Sequence, residues 1–100
     1  MINISKAQSL VEGELSKISH NKSPKDKRVI VNVLPIEGDI GWMFFYTTKA
    51  FAETRDPMYE LDGIGPIIVD REDGTMYITG TGRPLEEYMD EFRQKKLERL

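Results

Sequence analysis

The sequence predicts an α+β fold: a single domain over residues 1–100, with a four-stranded, mostly antiparallel sheet carrying an N-terminal and a C-terminal helix in the order α-β-β-β-β-α. Two observations carry this. Apolar residues recur at helical spacing near both ends of the chain. Between them, short β-branched and aromatic runs are separated by Gly, Pro and Asp-Gly turn signals. No internal repeat, low-complexity segment or linker divides the chain.

Ser5 and Gln8 have the spacing of a capping box, in which each side chain satisfies a backbone donor left free at a helix start. The helix that follows is expected from about Lys6 to Ser19. Ala7, Leu10, Val11, Leu15 and Ile18 form its apolar face, and Lys6, Glu12, Glu14 and Lys17 are left to water. His20 to Lys27, "HNKSPKDK", joins turn formers, a proline and a charge run, and reads as an exposed loop.

"RVIVNVLPIEG" is rich in β-branched residues, and Pro35 near its end marks an edge position or a bulge. After "GDIG" turns the chain, "WMFFYTT" is aromatic on both strand faces. Trp42, Phe44 and Tyr46 lie on one side and Met43, Phe45 and Thr47 on the other, as a central strand requires. Ala50 to Gly65 is read as an irregular excursion, in which "AFAETRD" is open to a short helix or an extended loop before Pro57.

"PIIVD" begins the next strand, "REDG" turns and "TMYITG" returns, with Asp73-Gly74 as the hairpin signal. Pro84 belongs to a first helical turn with Glu86 and Glu87, where negative charge suits the helix dipole. Leu85, Tyr88, Met89 and Phe92 give that helix its apolar face, and Lys95, Lys96 and Arg99 fall near its end.

A chain of 100 residues buries roughly two-thirds of its unfolded surface, enough for one core. The formal charge of −3, with basic residues scattered or near Lys22–Arg28 and Arg93–Arg99, does not favour nucleic acid as a partner. With no cysteine there is no disulfide, thiolate nucleophile or cysteine-ligated metal. The first twenty residues lack the apolar core of a signal peptide and no stretch is long enough to span a bilayer, so the expectation is a cytoplasmic protein without a membrane partner. Asn3-Ile4-Ser5 and Asn21-Lys22-Ser23 match the glycosylation pattern by chance on this reading.

His20, the only histidine, reads as a capping or solvated residue. Asp70, Glu72 and Asp73 lack the ligand spacing of an EF-hand loop and read as solvated acids at a hairpin turn. "GIGP" and "GTGRP" fit neither the phosphate loop nor the dinucleotide fingerprint. The aromatic run from Trp42 has no interleaved basic residue before Lys49 and reads as core. No catalytic constellation, metal site or cofactor site emerges, and none of these is expected.

"GWMFFYTTKAFAETRD" and "LDGIGPIIVDREDGTMYITGTGRPLEEYMDEF" carry a sharper signal. Over about Gly41 to Phe92 the chain resembles the bacterial immunity protein 35 family in a Gly-Trp that opens an aromatic strand, a "FAETRD"-like segment and a "GxxPxIVD, turn, GTxxPLEEY" block. Gly41, Trp42, Glu53, Thr54, Asp56, Gly63, Pro66, Val69, Asp70, Gly74, Gly80, Thr81, Pro84, Glu87 and Tyr88 match that pattern.

The resemblance implies a non-enzymatic immunity protein that binds a cognate secreted or contact-delivered toxin and neutralises it stoichiometrically. A heat-shock, chaperone-like member of the family implies the alternative, suppression of client aggregation. Inhibitors of this kind steer by charge, so the expected partner-binding residues are the acidic loop positions Glu37, Asp39, Glu53, Asp56, Glu60 and Asp62, with Tyr59 as an anchor.

Overall fold

A computed structural model describes residues 1–18, 27–60 and 64–98. The loop around His20, Asn21-Lys22-Ser23, Asp62, Gly63 and Arg99 lie outside the described residues. The chain forms α1 (Ile4–Ile18), β1 (Arg28–Pro35), β2 (Gly41–Thr48), α2 (Lys49–Thr54), a 3-10 turn (Pro57–Tyr59), β3 (Ile67–Asp70), β4 (Met76–Ile78) and α3 (Leu85–Glu98). The strands make one sheet in the order β1-β2-β3-β4 with every pairing antiparallel, so the predicted architecture is the observed one.

The start of α1 corrects the capping box. Asn3 Oδ1 accepts the backbone N–H of Lys6 at 2.8 Å, which makes Asn3 the cap and puts Ser5 inside the helix. Gln8 instead donates to Glu12 one turn on, at 2.9 Å. In the excursion, the short helix is the form adopted: the hydroxyl of Thr48 caps α2 by accepting from Phe51 N at 3.1 Å. Arg55 ends α2 at φ 60°, in the left-handed region.

Period-two alternation along β2 divides the core between two faces. Trp42, Phe44 and Tyr46 pack with Ala7, Val11 and Leu15 of α1 and with Ile67 and Val69 of β3. On the opposite face Met43 joins Ile36, Ile68, Met89 and Phe92, where Tyr77 meets Phe92 edge-to-face with ring centroids 5.1 Å apart. Helices therefore lie on both sides of the sheet. All four residues of β3 are buried because that strand is covered from above and below.

β1 is an edge strand whose register shifts between Ile30 and Asn32, so that Val31 is the extra residue of a bulge. Its free edge is blunted twice more. Asn32 Oδ1 accepts the N–H of Val33 at 3.0 Å, and Pro35 has no N–H to offer.

Candidate functional site

The polar side chains gather at the two ends of the sheet, and β2 runs between them. At one end lie the β1–β2 turn and the β3–β4 turn; at the other, α2 and the 3-10 turn. The residues expected to bind a partner are divided accordingly. Glu37 and Asp39 are exposed at the first end, and Glu53, Asp56, Tyr59 and Glu60 sit at the second. The eight residues of β2 separate the groups by roughly 23 Å, the length of seven extended steps.

At the first end several charges are paired with one another. Asp39, at φ 57°, forms an ion pair with Arg71, whose guanidinium lies over the Trp42 ring at 5.9 Å. Asp70 corrects the expectation of a solvated acid: it is 0% exposed, held by Lys96 Nζ at 2.8 Å and by the N–H of Glu72 at 2.8 Å. Lys96 also donates to Glu72 at 3.2 Å. Burial works against the charge on Lys96, but the bonds to Asp70 and Glu72 more than offset it and hold the ammonium above the usual lysine range. Lys96 thereby ties the last turns of α3 to the end of β3. Sequence reasoning placed Lys96 only at a helix end because nothing local indicates a partner 26 positions away.

At the second end a relay of hydrogen bonds fixes the backbone. The Thr54 hydroxyl donates to the carbonyl of Ala50 and accepts from Asp56 N. Asp56 Oδ1 accepts from Met58 N, and the Thr48 hydroxyl donates to the carbonyl of Tyr59 at 2.7 Å. The relay presents Met58 with 79% of its surface open to solvent, among the exposed acids Glu53, Asp56 and Glu60. Tyr59 is half-buried beside it. The exposed apolar residue is thus one position before the one read from sequence; the only local signal for it is a methionine directly after Pro57 in an acidic stretch.

A third cluster flanks the start of α3. Arg83 makes a two-pronged pair with Glu91, at 3.0 and 2.9 Å, and lies over Tyr88 at 4.4 Å. The bond from Arg83 brings Glu91 below the usual carboxylate range, and the bonds to Glu91 and then Tyr88 raise the guanidinium pKa in turn. Among the described residues no group of three His, Cys, Asp or Glu side chains is placed to hold a metal ion, and no helix is long and apolar enough to cross a membrane.

One helix on each side of an antiparallel sheet, with polar groups fixing turns and helix ends, defines a small α+β domain. The model of the family Immunity protein 35 matches residues 7–91, and the chain belongs to this family. It is also similar to the uncharacterized protein YrhB of Escherichia coli (strain K12), 39% identical over 56 residues. That match covers 56% of this chain and 60% of YrhB, less than two-thirds of the relative's length. No solved structure matches the chain.

Most of the motif residues inside the described segments have structural work. Asp70 is the buried partner of Lys96, and Asp56 and Thr54 order the 3-10 turn. Gly74 adopts φ 79° in the β3–β4 turn, and a side chain on Gly80 would meet the Tyr88 hydroxyl at 3.3 Å. Much of the motif therefore specifies the scaffold.

Proposed function

We propose that this protein is an immunity protein that acts in the cytoplasm of the producing cell and neutralises one cognate toxin domain by binding it stoichiometrically, without catalysis. The observation that carries this reading is membership of the immunity protein 35 family over residues 7–91. The acidic segment supports it: exposed Glu53, Asp56 and Glu60 lie in the same short segment as Met58, whose backbone the Asp56 side chain fixes, which reduces the backbone entropy lost on binding. In this reading Glu53, Asp56, Glu60 and Asp62 steer a basic toxin surface and Met58, beside Tyr59, is the anchor. Glu37 and Asp39, at the far end of β2, belong to the rim.

The test uses candidate toxin domains from genes neighbouring that of this protein. Co-expression is expected to yield a one-to-one complex. The double variant Glu53→Lys/Glu60→Lys, which leaves the turn-forming bonds of Asp56 in place, is expected to associate about tenfold more slowly at low salt, with the difference shrinking as salt rises. An unchanged association rate rejects the acidic segment as the steering surface. Absence of any complex rejects the immunity reading, and suppression of client aggregation at stoichiometric amounts in its place supports the chaperone-like alternative.

A further inference from the structure

The two edges of the sheet are finished differently. β1 carries a bulge, an asparagine that holds the Val33 N–H, and Pro35. β4 carries none of these: Met76–Ile78 is free of proline and charge, and its register with β3 runs without a shift.

Hydrogen-bond parity shows which groups of β4 face outward. Asp70 N donates to the carbonyl of Thr75 at 2.9 Å and Thr79 N to that of Pro66 at 3.4 Å. Alternation then makes Ile68–Tyr77 the hydrogen-bonded pair between these two. The N–H and C=O groups of Met76 and Ile78 therefore point away from β3, and no backbone group among the described residues meets them there.

The side chains along this edge divide between the two faces. Met76 packs on the α1-side core, and Ile78, two residues on, shares that face but is 59% exposed. Tyr77 lies on the α3 side, 5.1 Å from the Phe92 ring and 5.6 Å from Lys95 Nζ. Tyr88, Glu91 and Lys95 form the flank of α3 that borders Tyr77 and Ile78. Glu91 is paired with Arg83, whereas Lys95 has no ion pair among the described residues.

We infer that two copies of this chain pair β4 to β4, antiparallel about a two-fold axis at Tyr77, to make one continuous sheet. The parity selects this register. With Tyr77 opposite Tyr77 of the second copy, Met76 stands opposite its Ile78, and the two exchange N–H and C=O bonds across the edge. A shift of one residue sets outward-facing groups against inward-facing ones and loses those bonds. On the α1 side each exposed Ile78 gains Met76 of the other copy as its cross-strand neighbour. On the α3 side Tyr77 stands level with Phe92 and Lys95, so the axis runs the two α3 flanks past each other in opposite directions and brings Lys95 toward Glu91 of the second copy. One symmetry operation thus supplies the strand, an apolar neighbour for Ile78 and a carboxylate for Lys95, which selects a second copy over an unrelated strand. A three-residue strand and one helix flank bury less than a standard interface, so the dimer is weak, with Kd about 100 µM. The inference does not depend on the immunity reading.

The experiment follows the full chain by sedimentation and amide hydrogen exchange from about 10 µM to about 1 mM, on either side of that Kd. Ile78→Pro removes an outward N–H and no bond to β3, and Lys95→Glu sets like charges across the axis; thermal unfolding of each variant is followed alongside. The expected result is a shift of wild type from monomer to dimer in which the Met76 and Ile78 amides exchange more slowly, while the Tyr77 amide, already bonded to β3, changes little. Each variant is expected to dimerise at least about tenfold more weakly. If Ile78→Pro does not fold, Lys95→Glu and the wild-type exchange decide. Wild type that stays monomeric throughout overturns the inference, as does a dimer whose Met76 and Ile78 amides exchange as fast as in the monomer, or one that Lys95→Glu forms as tightly as wild type. Slowed exchange at these amides only when a neighbouring toxin domain is added, with the free protein monomeric, overturns it in favour of strand addition by the partner and leaves the immunity reading standing.

Discussion

Replacing Gly41 by alanine is expected to destabilise the fold by about 3 kcal/mol or more, lowering the thermal midpoint by roughly 12 °C or more in a domain of this size. Gly41 opens β2 and lies opposite Asp70 of β3. A Cβ built there would collide with the carbonyl oxygen of Val69 and approach Asp70 Cα at 3.5 Å. Both are backbone atoms of a fully buried strand, so no flexible side chain can give way. The displacement would fall on the row that holds Trp42 against Val69 and, through Asp70, on the anchor of α3. Gly82→Ala is the control, because a Cβ at Gly82 meets nothing within 4 Å. Equal thermal midpoints for the two variants would contradict the packing described for the start of β2.

Lys96→Met is expected to cost about 2 kcal/mol, less than the loss of a wholly buried partner because the Lys96 side chain keeps 18% of its exposure. Asp70 is wholly buried and its carboxylate loses a charged donor, while methionine retains most of the lysine stem's packing. Asp70→Asn/Lys96→Met, which removes both charges and keeps an acceptor for Glu72 N, is expected to recover part of the loss. A double-mutant cycle then gives a coupling energy of about 1 kcal/mol or more. The pH dependence follows from the direction of the lysine shift. The folded pKa lies above the ordinary value of 10.5, so this contribution is complete below about pH 10.5 and is lost as pH rises through the folded pKa. The difference in denaturant midpoint between wild type and Lys96→Met should therefore be flat at neutral pH and narrow in strong alkali. A constant difference would assign the effect to packing alone.

The fold was legible because its signals are local and agree with one another. Alternation along Trp42–Thr48 marked a strand buried on one face and half-buried on the other, and the spacing of Ala7, Val11 and Leu15 marked the helix that covers the buried face. Glu86 and Glu87 after Pro84 marked the start of α3. The misses have physical reasons. Ser5 and Asn3 are both good caps, and only the path of the chain decides which carboxamide or hydroxyl meets a free N–H. The six residues of α2 are too few to show a period, and its cap, Thr48, also belongs to the preceding strand. Asp70 reads as a turn acid until the helix that buries it is placed.

The candidate site was less legible for the same reason. Acidic loop residues are visible in sequence, whereas the exposure of Val31 follows from the bulge in β1. Val31 and Leu34 look like any other strand residues until it is known that nothing in the described chain covers them fully. Tyr59 attracted attention by residue type, and the ordered turn gives the greater exposure to Met58.

The most direct measurement is growth of cells expressing candidate toxin domains from genes neighbouring this one, with and without this protein, together with the stoichiometry of the purified mixture. The expected result is restored growth, dependent on this protein being made in at least equal amount, and a single one-to-one complex in which the toxin is inactive. Growth arrest that persists in the presence of folded protein, with toxin and protein sedimenting separately, would contradict the immunity function.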